Sequence, residues 1–445
     1  MLDEHLEKCA VIGAAGKMGS GIALLLLQEM ARAEVAQNGR ISGQPKLILI
    51  DMNEDALAAL QGYLRAQLLR YAEKAIVGLR DGYHERPELV ENHEMITDFV
   101  NGALSLIRIS TDTGDTAGCR LVFEAILEDL AVKTKVYKGL KKVCGPDTYF
   151  LTNTSSIPIS ALEEKAGLAG RIIGCHFYNP PAVQQLVEII TTERTEEKLK
   201  EITTELGKRL KKTLVPSNDI AGFIGNGHFM RDALYGMELL AEVKRLSPHG
   251  SVYLVNKVSQ DFMVRPMGIF QLMDYVGIDV CQLIMKTMTK HIAGVKLRSN
   301  LINAMMKAGV KGGQFPDGSQ KDGFFKYVKG RPAGVYSLKE QRYVMFDEGG
   351  WVDKSEKKLG PLPEGFAPWR ALMRDPLLND KLKAYFANLF QAESLGAELA
   401  RKYLAKSREI AHGLVTDGIA RDIADVNVIL KSGFYHLYGP ENDLY

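Results

Sequence analysis

The first half of the chain alternates short, almost continuous apolar runs with longer stretches of helical periodicity. Such runs are typical of strands that are buried on both faces of a sheet. Strands are predicted at residues 9–12, 46–51, 104–110, 121–125, 150–152, 171–177 and 186–190, with helices that include 22–28, 130–144 and 195–212. The alternation predicts an α/β fold with a doubly wound parallel sheet.

After residue 216 the pattern changes, and long amphipathic helical stretches dominate. Residues 311–365 are rich in Gly, Lys and Pro and are predicted to form loops and short strands, before a final helical stretch at about 380–431. We therefore predict three domains: 1–215 with the sheet, 216–330 as a helical domain, and 331–445 as a loop-rich segment with a second helical unit.

A weak internal repeat supports that second unit. The pair Val255-Asn256 precedes Gly268, the pair Val426-Asn427 precedes Gly439, and the Val-to-Gly separation is 13 residues in both cases. The repeat predicts a duplicated and degenerate helical unit.

Composition restricts the class of protein. Of the 445 residues, 46% are hydrophobic and 25% are charged, which is typical of a globular protein, and the net charge of +2 does not favour nucleic acid or an anionic membrane as partner. The five cysteines form no C-x-x-C pair, which favours free thiols in a reducing compartment. No apolar run approaches the roughly 20 residues of a membrane span, and the N-terminus does not resemble a signal peptide. A cytoplasmic protein is expected.

A glycine-rich stretch, VIGAAGKMGSGIA, follows the first predicted strand and opens a helix. Gly13, Gly16 and Gly19 have the spacing G-x-x-G-x-x-G, one residue longer at the start than the dinucleotide fingerprint. The alternative is a strand-to-helix turn whose glycines only relieve crowding. Asp51 ends the second strand and favours NAD over NADP, because a carboxylate there would repel a 2′-phosphate. Asp51 lies 12 residues later than usual, so residues 33–45 are interpreted as an insertion.

Two polar residues interrupt apolar strands further along. His176 lies at the end of RIIGCHF, and Glu188 lies within LVEII. A buried carboxylate is costly unless it is paired, and His176 is the nearest candidate partner. A His held by a Glu makes a general base, although a purely structural hydrogen bond explains the pair equally well. Taken alone, the polar residues at 124–133 and 151–159 are explained by helix capping or a turn, and Asn226 within 222–230 is either a cap or an arm of the second domain that reaches into a cleft.

Taken together, the sequence resembles the L-3-hydroxyacyl-CoA dehydrogenase family, which includes 3-hydroxybutyryl-CoA dehydrogenases. The resemblance is carried, in order, by GKMGSGIA, LILIDMNEDAL, VFEAILEDLAVK, NTSSIPIS, GCHFYNPPAVQQLVEII, AGFIGN and RPMGIFQLMDYVGID, which span most of residues 8–290. The block HFYNPP, with Glu188 twelve positions after His176, is the most specific part.

The resemblance implies a Rossmann-type domain that binds NAD, a helical C-terminal region and an acyl-CoA substrate, with no metal. It implies His176 as catalytic base and Glu188 as its orienting partner, with Ser155 and Asn226 positioning the substrate oxygen and His176. Lys74 corresponds to a lysine that binds coenzyme A phosphates. The implied cofactor contacts are Gly13, Gly16, Lys17, Met18, Gly19, Asp51, Glu128, Lys133 and Asn179. The implied reaction is the reversible oxidation of a (3S)-3-hydroxyacyl-CoA to a 3-oxoacyl-CoA.

The sequence departs from the family pattern in the longer glycine loop, the segment 33–45 and the length beyond residue 300. In family members with duplicated helical halves, the second half replaces a dimer partner, so both a monomer and a homodimer stay open. Two other functions stay open as well: a related dehydrogenase of a free hydroxy acid, and a non-catalytic subunit that binds NAD or acyl-CoA.

Overall fold

The computed structural model describes residues 1–315 and 318–445. It divides the chain into two compact units, Met1–Asp219 and Ile220–Tyr445, called here the first and second units. The predicted division at residue 330 lies inside the second unit, because one apolar cluster joins residues from Ala221 to Tyr438. Within the described residues, every helix is too short or too polar to cross a bilayer.

The first unit is built on an eight-stranded sheet in the order β3-β2-β1-β4-β5-β6-β7-β8. Its strands are β1 (Cys9–Ile12), β2 (Leu47–Ile50), β3 (Ile107–Ser110), β4 (Leu121–Glu124), β5 (Tyr149–Thr152), β6 (Ile172–Phe177), β7 (Leu186–Ile190) and β8 (Thr213–Ser217). All neighbouring pairs are parallel except β6 and β7, which are antiparallel. The α/β prediction is therefore confirmed, with a correction: the sheet is mixed.

Helices accompany the sheet in the first unit. They are α1 (Leu2–Leu6), α2 (Lys17–Asn38), α3 (Glu54–Gly82), α4 (Asn92–Ser105), α5 (Leu130–Val143), α6 (Ile159–Ala166) and α7 (Glu197–Arg209). The first residues of the predicted insertion 33–45 continue α2, and Gly39 caps the end of this helix with a φ of 63°, which suits glycine. Residues 104–105 also belong to α4 and not to the predicted strand.

The second unit is mainly helical. Its helices are α8 (Phe223–Glu238), α9 (Pro248–Lys257), α10 (Ile269–Val276), α11 (Ile278–His291), α12 (Asn300–Lys307), α13 (Trp351–Leu359), α14 (Trp369–Leu372), α15 (Leu378–Gln391), α16 (Leu395–Thr416) and α17 (Ile423–Gly433). The predicted final helical stretch is thus three helices. The loop-rich segment contains an antiparallel sheet of β9 (Phe325–Val328), β10 (Arg331–Ser337) and β11 (Arg342–Met345). The short strands predicted within residues 311–365 are thereby confirmed.

The spacing repeat corresponds to a local structural repeat. The Asn256 side-chain oxygen accepts hydrogen bonds from the backbone N–H groups of Phe270 and Gln271, at 3.2 and 3.1 Å. The Asn427 side-chain oxygen accepts one from the N–H of Glu441, also at 3.2 Å. In each copy a Cβ on the glycine, Gly268 or Gly439, would collide with the asparagine side chain. The repeated Asn and Gly are therefore partners in one capping arrangement, which occurs twice.

Candidate active site

The glycine loop is a tight turn between β1 and α2. Gly13 adopts a φ of 79°, and the N–H groups of Gly13 and Ala14 donate to the carbonyl of Ile50 at 2.8 and 3.0 Å. The N–H of Gly16 donates back to the carbonyl of Gly13 at 3.1 Å, and α2 begins directly after Gly16. Ala14 and Ala15 therefore lie at the centre of the turn.

Two of these glycines are required by close backbone approach. A Cβ on Gly13 would lie 2.7 Å from the carbonyl oxygen of Ala125, and a Cβ on Gly19 would collide with the carbonyl of Gly13. Gly16 caps α2 without a side chain, so the helix begins with backbone N–H groups at a concave turn. This geometry fits the pyrophosphate of a dinucleotide, which a side chain in the turn would exclude.

Charged residues accompany the turn. The Asp51 carboxylate accepts a hydrogen bond from the N–H of Ala15 at 3.1 Å and another from the N–H of Asn53 at 3.2 Å. The acid that follows β2 is thus fixed against the glycine loop. In the first turn of α2, Met18 is half-buried and packs against the apolar core, and burial lowers the pKa of Lys17. The acid, the turn and the helix start form one face at the carboxyl ends of β1 and β2.

The second polar group lies on the antiparallel strands β6 and β7. Their register places His176 directly opposite Glu188, where side chains on one face of a sheet meet. His176 Nδ1 lies 3.4 Å from Glu188 Oε1, and Glu188 is completely buried. The Tyr178 hydroxyl donates to the same Oε1 at 2.5 Å, and its ring lies 4.9 Å from the imidazole.

The end of β6 is held in place from the neighbouring strand. Asn153, which follows β5, accepts a hydrogen bond at its side-chain oxygen from the backbone N–H of Phe177 at 2.8 Å. Phe177 lies between His176 and Tyr178, so this bond fixes the backbone that carries both side chains. The placement of His176 thereby depends on two strands and not on its own strand alone.

A third polar group joins the ends of β4 and β5. Lys133 has a side chain that is 1% exposed, and its ammonium lies 2.5 Å from Glu124 Oε1 and 3.5 Å from Glu128 Oε2. These two carboxylates raise the pKa of Lys133 although burial opposes it. Glu128 accepts hydrogen bonds from the hydroxyls of Thr154, Ser155 and Ser156 and from the N–H groups of the two serines. Lys133 and these donors together hold the pKa of Glu128 below its usual value, against its burial.

Comparison with known proteins agrees with this geometry. Residues 8–220 match the family described as 3-hydroxyacyl-CoA dehydrogenase, NAD binding domain, and residues 235–327 match its C-terminal domain. A probable 3-hydroxybutyryl-CoA dehydrogenase of Deinococcus radiodurans is 31% identical over 325 residues, which are 72% of this chain and 100% of that protein. The chain belongs to the 3-hydroxyacyl-CoA dehydrogenase family.

Human mitochondrial hydroxyacyl-coenzyme A dehydrogenase is 32% identical over 285 residues, covering 63% of this chain and 79% of that protein. A crystal structure of 3-hydroxybutyryl-CoA dehydrogenase from Escherichia coli covers 98% of this chain and 90% of its own, with a TM-score of 0.64. At 20% sequence identity, this structural likeness shows a shared fold, and the matched part of the chain includes residues after 330. The resemblance that the motifs indicated is confirmed, and NAD is the cofactor of the family's matched domain.

The structure brings together most of the residues that the family resemblance implied. His176 faces Glu188, and Glu128, Lys133 and Ser155 meet in one cluster. Asn179 lies half-buried shortly after β6. Lys74 lies exposed on α3 of the first unit, and Asn226 lies in the first turn of α8 in the second unit.

Sequence reasoning missed several members of these groups. From the sequence, Glu124 is explained as an acid near the start of a helix. In the structure it accepts hydrogen bonds from the Tyr137 and Thr152 hydroxyls and forms an ion pair with Lys133. Tyr178 belongs to the HFYNPP block, and the sequence predicts no role for it. Residues two apart in an extended chain point to the same side, so the spacing of Tyr178 from His176 was the signal available.

Proposed function

We propose that this chain catalyses the reversible, NAD-dependent oxidation of a (3S)-3-hydroxyacyl-CoA to a 3-oxoacyl-CoA, with His176 as general acid and base. The observation that carries the proposal is the cross-strand pair, in which His176 Nδ1 faces Glu188 at 3.4 Å. With Nδ1 turned toward the carboxylate, we assign proton exchange with the substrate to Nε2.

The proposed step uses few groups. His176 Nε2 accepts the proton of the C3 hydroxyl, and the C3–O bond becomes a carbonyl as the C3–H bond breaks with its electron pair. Bound NAD supplies the acceptor for that hydride. Glu188 stabilises the imidazolium that forms, and in the reverse direction the imidazolium returns the proton to the carbonyl oxygen. We assign to Ser155 and Asn226 the positioning of the substrate oxygen, and to Lys74 the coenzyme A phosphates, as the family resemblance implies.

The cofactor is held by the first unit in this proposal. The turn at Gly13, Gly16 and Gly19 receives the pyrophosphate, assisted by Lys17 and Met18, and Asp51 binds the adenosine ribose. Glu128, Lys133 and Asn179 form the nicotinamide side of the site. Support comes from the backbone approach that excludes a Cβ at Gly13 and Gly19.

The test is the loss of NADH absorbance with acetoacetyl-CoA. The wild-type chain oxidises NADH, whereas His176→Ala lowers kcat by about 10²- to 10⁴-fold and Glu188→Gln lowers it less, with NADH affinity retained in both. His84→Ala is the matched control, because that histidine is 71% exposed on the first unit and lies outside both polar groups.

Near-normal turnover by His176→Ala would contradict the assignment of the base. Oxidation of NADH with acetoacetate but not with acetoacetyl-CoA would instead favour a dehydrogenase of a free hydroxy acid. Thermal stabilisation by NADH and acetoacetyl-CoA without any turnover would favour a non-catalytic binding subunit.

A further inference from the structure

Two side chains of the first unit, Tyr178 and His176, approach the same carboxylate oxygen of Glu188. Glu188 Oε1 accepts the Tyr178 hydroxyl at 2.5 Å, and His176 Nδ1 lies 3.4 Å from the same atom. The Tyr178 ring also lies 4.9 Å from the imidazole, with the ring planes inclined at 39°. We propose that Tyr178 is a positioning residue of the reaction, whose hydroxyl delocalises the charge of the Glu188 carboxylate and so limits how strongly Glu188 holds the imidazolium of His176.

The relative lengths of the two contacts carry the proposal. A hydroxyl-to-carboxylate bond of 2.5 Å is in the short range of charge-assisted hydrogen bonds, whereas 3.4 Å is at the outer limit for a ring N–H. Oε1 is therefore committed more strongly to Tyr178 than to His176. A neutral donor delocalises the charge of the carboxylate and removes none of it.

Tyr178 remains a donor throughout the working range of such an enzyme. Burial and the charge of Glu188 both raise the pKa of Tyr178 well above its ordinary value. The phenol therefore stays protonated, and it compensates Glu188, which is completely buried, for part of its lost hydration.

The backbone holds Tyr178 in this position. Asn153 fixes the N–H of Phe177, so His176 and Tyr178 are carried by one constrained segment. Glu188 faces the imidazole from β7, and Tyr178 faces it from the residues that follow β6. A change at Tyr178 thus acts on His176 through a shared oxygen and through ring contact.

The proposal predicts opposite consequences for the two reaction directions. Without the phenol, Glu188 holds the imidazolium more strongly. Oxidation of the hydroxyacyl substrate requires neutral imidazole, so the acidic limb of its pH profile of kcat/KM moves to higher pH. Reduction of the oxoacyl substrate requires imidazolium, so its basic limb also moves to higher pH and the reductive range widens.

The experiment compares pH profiles of kcat/KM for wild type, Tyr178→Phe, Glu188→Gln and the double variant, in both directions. For Tyr178→Phe we expect both limbs to move upward by about 0.5 to 1 pH unit. The move disappears in the Glu188→Gln background, because the phenol acts through Glu188. Tyr149→Phe is the matched control, since Tyr149 also donates to a glutamate, Glu196, at 2.7 Å, and its profile stays that of wild type.

The proposal is overturned if the limbs of the pH profiles do not move in Tyr178→Phe. It is also overturned if Tyr178→Phe moves them equally far in the Glu188→Gln background. A titration of His176 followed by imidazole NMR gives the same comparison without turnover, and its midpoint rises in Tyr178→Phe. If Tyr178→Phe does not fold, Tyr178→Leu, which also has no side-chain donor, takes its place. The inference rests on the proposed function: failure of that function appears as absent wild-type turnover or a Glu188→Gln profile identical to wild type, whereas failure of this inference alone leaves those intact.

Discussion

The two units each bury an ion pair, and the surroundings of the two pairs differ. Lys133 of the first unit lies among Glu124 and Glu128, and Arg265 of the second unit lies 2.8 Å from Asp232. Both cations are at most 5% exposed. Burial of charge is costly in either place, so both pairs require a compensating arrangement.

The arrangement around Lys133 contains groups at strand ends and in loops, and Glu128 is 19% exposed. Arg265 lies in the loop before α10 and contacts residues of two helices: its guanidinium lies 5.3 Å from the ring of Tyr403 in α16, and Tyr403 donates to the carbonyl of Asp232 in α8 at 2.7 Å. In α/β sheets, ligands bind beyond the carboxyl ends of the strands. Similar burial therefore accompanies two different surroundings, strand ends and loops around Lys133 and the helices α8 and α16 around Arg265.

Removing each cation tests this comparison most strongly. Lys133→Met and Arg265→Met each leave a buried carboxylate uncompensated, and we expect each to lower the free energy of unfolding by about 3–5 kcal/mol. Lys133→Met also weakens NADH binding by about tenfold or more, whereas Arg265→Met leaves the NADH dissociation constant unchanged. Denaturant unfolding and fluorescence titration of NADH, below the unfolding temperature of each variant, measure the two effects.

The double variant Asp232→Leu/Arg265→Met is the control for the second unit. Replacing both charges by apolar groups of similar size restores most of the lost stability, because no uncompensated charge remains. Weakened NADH binding in Arg265→Met, at a stability equal to that of Lys133→Met, would remove the distinction between the two pairs.

The repeated asparagines give a smaller test within the second unit. Asn256 is 4% exposed, satisfies two backbone N–H groups and donates to Gln271 at 2.8 Å. Asn427 is half-buried and bonds both the N–H and the carbonyl of Glu441. We expect Asn256→Ala to lower the free energy of unfolding by about 2–3 kcal/mol and Asn427→Ala to lower it by about 1 kcal/mol. The difference arises because polar groups left unsatisfied are more costly when they are buried than when they are partly exposed. Equal costs in thermal unfolding would show that the copies are equivalent despite their different burial.

The sequence was informative where one physical signal dominated. Residues 172–177 and 186–190 are strands because their apolar runs are nearly continuous, and the Asn–Gly spacing revealed the repeat. The direction of β7 was not predictable, because the connection after His176 has no recognisable hairpin turn. The antiparallel register that aligns His176 with Glu188 was therefore beyond the sequence pattern, although the pairing itself was anticipated.

Other misses have local causes. Pro216 was interpreted as a boundary, yet it lies in β8, an edge strand, where a missing N–H is tolerated. Residues 33–38 lack an apolar run, and the helix α2 continues through them until Gly39. The pairing of Glu124 with Lys133 was not predicted, because acids near a helix start already have a sufficient local explanation.

The two units also differ in how their stability depends on pH. This effect is smaller than those above, and its sign is opposite in the two units. In the second unit, burial raises the pKa of Asp274 to about 8, and this residue accepts hydrogen bonds from the N–H groups of Phe324 and Phe325. Folded Asp274 retains a proton that the unfolded chain releases above its ordinary pKa of 3.8, so stability falls as pH rises from about 4 to 8. In the first unit, burial lowers the pKa of Lys212 to about 8, and stability rises as pH increases from about 8 to its ordinary 10.5.

Hydrogen exchange of the whole chain, corrected for the intrinsic effect of pH, resolves these contributions by location. Amides near α10 lose protection between pH 4 and 8, and Asp274→Asn removes that loss because it cannot ionise. Amides of residues 182–184 gain protection above pH 8, because Lys212, whose ammonium donates to the carbonyls of Pro181 and Gln184 at 2.7 Å, no longer has to be buried with a charge. Lys212→Met abolishes that gain. The same sign of pH dependence in both regions would mean that burial does not govern these two groups, and the contrast between the units would then rest on the ion pairs alone.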